Sequence, residues 1–388
     1  METRKLYYED CHTREFTARV ISCREAGERF AVTLDATAFY PVGGGQAADT
    51  GILNEARVLD CREENGEILH ICDRPLEAGM TVAGKIDWEP RFIRMQQHTG
   101  EHILSGILFS RYGCHNSGFH MNLNRMQVDF DRPIPQEDLA EIEAAANDAI
   151  WRNLPVLCSV PDPDALAGLS YRTKRALPWP VRIVEIPGID RCACCGVHVS
   201  STGEVGILKI YSMIPFRDGV RLEMACGKAA KTYLDHIYRE NQQVSRLFSV
   251  PVTDTAQGAQ TLLDRLEGEK NRAANLEREL FARIAGENTG RGDVVIFREN
   301  LSSDGIRLLA DALADSCGGT AAVLSGKGDT WRWCLAARQG NLKPLEDGMK
   351  KALNARGGGK PGFRQGSLRA EKEQIESFFL SQGFTFTE

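Results

Sequence analysis

Two pairs of potential metal ligands stand far apart in the sequence. His98 and His102 are four positions apart, so on a helix they would lie one above the other on the same face. Cys194 and His198 form a second pair with the same spacing. Neither pair is specific alone, but together they supply one thiolate and three imidazoles, a tetrahedral set that suits zinc. The sequence therefore predicts one zinc ion per chain.

A second cysteine spacing overlaps the Cys194 pair in the segment RCACCGVHVSS, residues 191–201. Cys192 and Cys195 form C-x2-C, which is typical of a zinc knuckle or a redox pair. No other C-x2-C occurs in the sequence, so an all-cysteine site would lack its second half. Redox pairs usually open a helix, whereas this segment is predicted to be a loop. Cys194 and His198 are therefore favoured.

The composition is that of an ordinary multidomain protein. Its 388 residues, 42% of them apolar, predict two to four domains. The net charge of −6 does not suggest a nucleic-acid binder, and no apolar run is long enough to span a bilayer. The start, METRKLYYED, lacks the pattern of a secretory signal. We interpret most of the twelve cysteines as buried thiols, which predicts a reducing, cytoplasmic location.

The elements that would position these ligands indicate an α+β fold. Short β-rich runs with turns predict a small N-terminal β-barrel, and a helical pattern from Glu89 to Tyr112 carries both histidines. Two heptad-like segments with a break between them predict a helical hairpin arm, and the remainder alternates strands and helices as in a small α/β domain. The predicted ranges are 1–85 for the barrel, 86–225 for the α+β zinc domain, 226–290 for the arm and 291–388 for the α/β domain.

Basic residues are concentrated near the C-terminus. From Lys327 to Arg369 there are ten lysines and arginines against three acids. Local charge of this kind can attract a polyanion even when the net charge is negative. A solvated basic face explains such a run as often as a phosphate-binding surface does.

Four motifs in this order resemble a known family. They are TAFYPVGGGQAADTG at 37–51, QQHTGEHILS at 96–105, CCGVHVSSTGEVG at 194–206 and GGGKPGFRQG at 357–366. The first three are similar to the editing region of alanyl-tRNA synthetases and to the freestanding alanyl-tRNA editing proteins, the AlaX group, above all its long form. The fourth resembles the glycine-rich motif of the DHHA1 domain. The resemblance covers essentially the whole chain.

The resemblance implies a zinc-dependent deacylase. Its substrate would be tRNA(Ala) wrongly charged with serine or glycine, and its reaction the hydrolysis of the aminoacyl ester. Because Met1 leads almost directly into the β domain, we expect no aminoacylation activity. The alternative is a non-catalytic, zinc-stabilised tRNA-binding module. A DHH-type phosphoesterase is rejected, because the nearest string, Asp235-His236-Ile237, lacks the required motif.

The resemblance also assigns roles to individual residues. Glu101, between the zinc histidines, is either a water-orienting base or a solvated helix residue. Four protein ligands close a zinc site, so a positioning role for the metal is favoured over water activation. No membrane partner is expected, and a homodimer through the C-terminal region is left open. The remaining candidates are Ser117 and His120 for the acyl pocket, Gly43, Gly44, Gly45 and Gln46 for substrate contacts, and Lys360 and Arg364 for tRNA.

Overall fold

The structure, a computed structural model, describes residues 2–173 and 179–387. Met1 and Glu388, the ends of the first and last predicted ranges, lie outside the described residues. The chain divides into two compact units, residues 1–242 and 243–388. Both contain helices and sheets, which confirms the α+β class. The finer division into four ranges stays a prediction.

The N-terminal part of the first unit is built around a closed six-stranded barrel in the order β2-β3-β7-β6-β5-β8. Alternate side chains of each strand point inward, and Val20, Val32, Val58 and Val82 are among the apolar residues that fill the interior. The elements are β1 (Arg4–Lys5), α1 (Leu6–Glu9), β2 (Glu15–Ala26), β3 (Arg29–Leu34), β4 (Ala36–Thr37), β5 (Gly51–Leu53), β6 (Ala56–Glu64), β7 (Glu67–Cys72) and β8 (Thr81–Ile86).

The rest of the first unit surrounds one long helix, α2. A four-stranded antiparallel sheet in the order β14-β15-β10-β9 and a three-stranded sheet, β11-β12-β13, both contribute strands that contact it. The elements are α2 (Trp88–Tyr112), β9 (Asn116–Met121), β10 (Met126–Phe130), α3 (Leu139–Trp151), β11 (Leu157–Ser159), α4 (Pro163–Ala167), β12 (Ile183–Ile186), β13 (Asp190–Ala193), β14 (Leu208–Phe216), β15 (Gly219–Cys226) and α5 (Gly227–Phe248).

Helix α2 confirms the helix predicted from Glu89 to Tyr112. Its central turns are buried all round, since Met95, Ile103 and Leu104 pack into the core while both histidines are also buried. It ends at Gly113, which adopts a left-handed conformation and donates its N–H to the Phe109 carbonyl. A helix enclosed on every side holds its polar side chains in fixed positions.

The second unit contains a six-stranded sheet in the order β19-β20-β18-β17-β16-β21. Strand β16 runs parallel to β17 and β21, and apolar clusters cover both faces of the sheet. The elements are α6 (Thr255–Glu287), β16 (Gly292–Phe297), α7 (Ser303–Ser316), β17 (Gly318–Lys327), β18 (Thr330–Ala337), α8 (Lys343–Ala352), β19 (Arg356–Lys360), β20 (Phe363–Arg369), α9 (Lys372–Ser381) and β21 (Thr385–Thr387). Among the described residues, no helix has the length and apolar character needed to cross a membrane.

Candidate metal centre and substrate site

The structure brings the two predicted ligand pairs together. His98 and His102 come from α2, and Cys194 and His198 come from the loop that follows β13. One potential ligand atom of each lies within 4.8 Å of the others. The Cys194 Sγ is 3.5 Å from His98 Nε2 and 3.4 Å from His198 Nε2. These four side chains, here called the ligand cluster, could hold a metal ion.

Each histidine of the ligand cluster has its Nδ1 occupied by a different partner. With Nδ1 protonated, His98 donates to Gln46 Oε1 at 3.1 Å, His102 donates to Asp190 Oδ2 at 3.0 Å, and His198 donates to Thr99 Oγ1 at 3.2 Å. The Gln46 and Asp190 oxygens only accept, so they fix His98 and His102 in the tautomer in which Nε2 carries the free lone pair, and the Thr99 contact is compatible with the same tautomer of His198. The donor set and its orientation therefore fit zinc.

Charges around the ligand cluster favour a thiolate. Burial opposes ionisation of Cys194, but the nearby His98 and the hydrogen bonds from His102 and His198 hold the pKa of its thiol well below the ordinary value. Burial lowers the pKa of His198 to about 3, so this imidazole is neutral at pH 7. A thiolate and a neutral imidazole are the forms in which these side chains bind metals.

Asp190 is itself held in place. Burial would raise its pKa, but the hydrogen bonds from His102 and Arg172 lower it to about 2. Arg172 donates two hydrogen bonds to this carboxylate, at 2.7 and 2.9 Å. The negative charge that orients His102 is thus balanced by a fixed guanidinium.

The first glycine motif forms a tight turn beside the ligand cluster. Gly43 and Gln46 exchange backbone hydrogen bonds of 3.1 and 2.9 Å, and the two residues between them have φ values of +59° and +80°. Both central residues at positive φ define a type I′ turn, which glycine adopts without strain. A Cβ at Gly45 would lie 2.6 Å from the Phe119 ring. Glycine is therefore required here both by conformation and by space.

Cys195 lies outside the ligand cluster. Its Sγ faces the glycine turn, where a Cβ at Gly44 would be 3.2 Å from it. A Cβ at the next residue, Gly196, would come within 2.2 Å of His98 Cε1, so the loop passes directly against that ring. Of the two adjacent thiols, the structure places that of Cys194 among the imidazoles.

Glu101 is buried, with 5% of its surface exposed, so its interpretation as a solvated helix residue is wrong. Its Oε1 accepts a hydrogen bond from Ser105 Oγ at 2.6 Å and another from the side-chain amide of Asn116. Asn116 begins β9, the strand that also carries Phe119. The carboxylate is therefore fixed between α2 and β9, next to both histidines in sequence.

The predicted pocket residues of β9 lie on its exposed side. Ser117 is exposed and donates to the Asp129 carbonyl at 3.2 Å, and His120 is exposed opposite Gln127. Phe119 instead stacks on His98, with ring centroids 5.5 Å apart. Of the β9 residues, Phe119 thus contacts the ligand cluster and Asn116 contacts Glu101, while Ser117 and His120 stay predictions.

In the second unit, the two predicted tRNA-binding residues differ. Lys360, at the end of β19, is exposed. Arg364, on β20, is 12% exposed and pairs with the buried Glu346, which Lys350 also contacts. A guanidinium already committed to a buried carboxylate cannot readily hold a phosphate. The prediction for Arg364 is therefore corrected, and Lys360 stays a prediction.

Several residues of the site carry no sequence signal. Asp190, Arg172 and Thr99 contact the ligand cluster or its partners, but no spacing connects them with the histidines that they serve. Gln46 was predicted as a substrate contact, and the structure adds a contact with a metal-ligand candidate, His98. Among these residues, Thr99 alone could be associated with the site from the sequence, because it lies between the two histidines.

Two family models match parts of the chain. The model described as tRNA synthetases class II (A) matches residues 2–90. The model described as threonyl and alanyl tRNA synthetase second additional domain matches residues 181–247, which include Cys194 and His198. The two matches thus include the glycine turn and the Cys194 loop, whereas the α2 histidines lie between the matched ranges.

Individual relatives extend the similarity. The alanyl-tRNA editing protein AlaX-L of Pyrococcus horikoshii is 28% identical, over 96% of this chain and 96% of that protein. The alanyl-tRNA editing protein Aarsd1 of Mus musculus is 25% identical, over 98% of this chain and 97% of its own length. An alanine–tRNA ligase of Ignicoccus hospitalis is 39% identical over 58% of this chain, which spans only 26% of that ligase.

Proposed function

Because the chain belongs to the AlaX-type alanyl-tRNA editing proteins, we propose that it hydrolyses the ester that joins serine or glycine to the terminal adenosine of tRNA(Ala). The observation that carries this proposal is the meeting of the ligand cluster with the glycine turn, which contacts Phe119 and is followed by the His98 partner Gln46. Serine and glycine differ from alanine by only a few atoms. A single synthetic site separates such substrates poorly, so a second, hydrolytic site is needed.

Two buried amides support a polar substrate pocket. Gln46 Nε2 and Asn116 Oδ1 have no hydrogen-bond partner among the described residues. Because buried polar groups are nearly always paired, such atoms are expected where a ligand completes the bonding. We assign them to polar groups of the aminoacyl end. A pocket that forms hydrogen bonds with the serine hydroxyl would reject alanine, since the polar atoms of the pocket would stay unpaired with alanine bound.

The ligand cluster would hold zinc through His98, His102, Cys194 and His198. Bound there, the ion would supply a fixed positive charge, and with four protein ligands it would position the 3′ end rather than activate water. The residues around it do the remaining work. Gln46 and Asp190 keep His98 and His102 in the metal-binding tautomer, and Thr99 orients His198.

Glu101 is our candidate for the group that orients the attacking water. It precedes the ligand candidate His102 in α2, and its buried carboxylate is held by Ser105 and Asn116. A positioned carboxylate can accept a proton from water while the water oxygen attacks the ester carbonyl carbon. The proton then passes to the departing ribose oxygen. The products would be the free amino acid and tRNA with an intact 3′ end.

The second unit would bind the body of the tRNA. The segment from Lys327 to Arg369 has ten lysines and arginines against three acids, and all of these cations except Arg364 are exposed. Lys360 lies at the end of an exposed edge strand and is the residue we assign to a phosphate contact.

The test compares hydrolysis of Ser-tRNA(Ala), Gly-tRNA(Ala) and Ala-tRNA(Ala) by the zinc-loaded wild type, Glu101→Gln and a control, Glu141→Gln, which alters an exposed carboxylate. We expect serine or glycine to be removed and alanine to be spared. Loss of the base should lower kcat by about 10²- to 10⁴-fold, with zinc retained. No hydrolysis by the wild type would leave a non-catalytic tRNA-binding module. Equal hydrolysis of Ala-tRNA(Ala) would contradict editing.

A further inference from the structure

The loop that carries Cys194 has no regular secondary structure, yet three successive carbonyls in it are held from outside. The Arg182 Nη1 donates to the Cys194 carbonyl at 2.8 Å and to the Gly196 carbonyl at 2.9 Å. The Tyr8 hydroxyl donates to the carbonyl between them, that of Cys195, at 2.6 Å. Two side chains far apart in sequence thus grip consecutive peptide groups.

The two gripping side chains support each other. The Arg182 guanidinium lies over the Tyr8 ring, with its carbon 4.4 Å from the ring centroid, in the geometry of a cation–π contact. Its second nitrogen, Nη2, donates to Cys158 Sγ at 3.0 Å. The Arg182 carbonyl also accepts the Cys194 N–H at 3.0 Å. Arg182 therefore holds this part of the loop through both its backbone and its side chain.

Peptide geometry connects this grip with the sulfur of Cys194. In a trans peptide the C=O and the following N–H point in opposite directions. A hydroxyl that fixes the Cys195 carbonyl on one side therefore directs the Gly196 N–H to the other side. That N–H donates to Cys194 Sγ at 3.3 Å. The Tyr8 hydroxyl is in this way connected to the orientation of a hydrogen bond on the candidate metal-binding sulfur.

We propose that Tyr8 and Arg182 form a carbonyl clamp that keeps the Cys194 loop in its metal-binding conformation. Both are positioning residues, because they act through the loop and touch no reacting atom. The clamp also makes the N-terminal helix α1 part of the metal site, although α1 precedes the barrel. This inference rests on the proposed function only in taking the ligand cluster to be a zinc site.

The test measures how fast zinc passes to a chromogenic chelator from the full-length protein. The variants are Arg182→Met, Tyr8→Phe and the conservative Arg182→Lys. Two matched controls remove the same groups elsewhere: Arg191→Met takes a guanidinium from β13, where it pairs with Glu185 of β12, and Tyr112→Phe takes a hydroxyl that bonds to Asp138. Thermal unfolding of the zinc-free forms reports any general loss of stability.

We expect Arg182→Met to release zinc about 10- to 100-fold faster, as for other residues that orient metal ligands. Tyr8→Phe, which removes one hydrogen bond, should release it about threefold to tenfold faster. Arg182→Lys should recover part of the loss, and the controls should match the wild type. In the cobalt-substituted protein, the thiolate-to-metal absorption should shift in Tyr8→Phe but not in Tyr112→Phe, because only the former reorients the N–H on Cys194.

Equal zinc release from the clamp variants and the controls would overturn the proposal, as would an unshifted cobalt spectrum in Tyr8→Phe. A wild type that binds no zinc would overturn it too. A wild type that holds zinc but leaves Ser-tRNA(Ala) intact would instead contradict the proposed hydrolase while the clamp stands. The two proposals therefore fail in distinguishable ways.

Discussion

The two glycine runs of this chain, Gly43–Gly45 and Gly357–Gly359, are equal in length and exposed to a similar degree, but their neighbours differ. The first forms a turn against Phe119 and Cys195, and it is followed by the buried Gln46, which bonds to His98. The second lies in β19, an exposed strand at the edge of a sheet. A glycine run reveals that the backbone comes close to something or turns sharply. What it approaches depends on residues elsewhere in the chain.

The same contrast applies to the polar residues beside each run. Gln46 is buried and keeps one amide atom unpaired among the described residues, as expected of a group that awaits a ligand. Arg364, on the strand that pairs with the second run, has its charge neutralised by Glu346. The first run therefore lies beside the ligand cluster. The second lies beside a structural ion pair and is followed by the exposed Lys360.

The largest expected effect is on stability, and it distinguishes Arg364 from Lys360, the two cations that follow the second run. Arg364→Ala would leave Glu346 buried with only Lys350 near it, which should cost roughly 3 kcal/mol of unfolding free energy. Lys360→Ala removes an exposed charge and should change it by less than about 0.5 kcal/mol. Chemical denaturation of both variants measures the difference. Equal stabilities would mean that Arg364 is not the structural partner described here.

The pH dependence of stability tests the barrel region, in which the first run lies between β4 and β5. Burial lowers the pKa of His70 to about 4, and this imidazole of β7 bonds to the Thr37 hydroxyl of β4. Between pH 6.5 and 4 the unfolded chain binds the proton that folded His70 does not, so stability falls as the pH is lowered. The contribution lost by pH 4 is about 3 kcal/mol. Denaturation of the wild type across this range should show it, and His70→Gln should have a flatter profile; parallel profiles would contradict it.

A methyl group added to each run should have unequal effects. Gly45→Ala brings a Cβ against Phe119 at a positive φ, and should cost about 2 kcal/mol together with most of the hydrolytic activity. Gly358→Ala meets no atom of the described residues within 4 Å and should be close to neutral. Thermal unfolding and deacylation assays on this matched pair decide the matter. A Gly45→Ala protein that is fully active would separate the first run from the site.

The smallest effect concerns tRNA. Lys360→Ala should weaken binding of tRNA(Ala) and lower the slope of log affinity against log salt by about one. Lys270→Ala, which removes an exposed lysine of α6 outside the basic segment, serves as the control. Filter binding over a range of salt concentrations measures both. An unchanged slope would remove Lys360 from the phosphate contacts.

The parts of this site that depend on local spacing were accessible from sequence. The i, i+4 histidines of α2 and the Cys194–His198 pair predict the ligand cluster, because helical periodicity and metal chemistry restrict such pairs strongly. Spacing also favours Cys194 over its neighbour Cys195, and the structure places the Cys194 thiol among the imidazoles.

Contacts between distant segments could not be predicted. Asp190 reaches His102 across 88 positions, and Tyr8 reaches Cys195 across 187. Arg364 was assigned to tRNA because it stands in a basic run, yet its partner Glu346 is 18 positions away on α8. A charge count shows how many cations a segment has, but only the packed structure shows which of them are already neutralised.

A comparison of Cys194→Ala with Cys195→Ala tests directly whether Cys194 completes a zinc site that hydrolysis requires. Zinc content and hydrolysis of Ser-tRNA(Ala) are determined on each beside the wild type. We expect Cys194→Ala to lose both zinc and hydrolysis, because the Cys194 thiolate is one of the four proposed ligands. Cys195→Ala should keep both. Loss of zinc and activity in Cys195→Ala with Cys194→Ala intact, or equal activity in all three proteins, would contradict it.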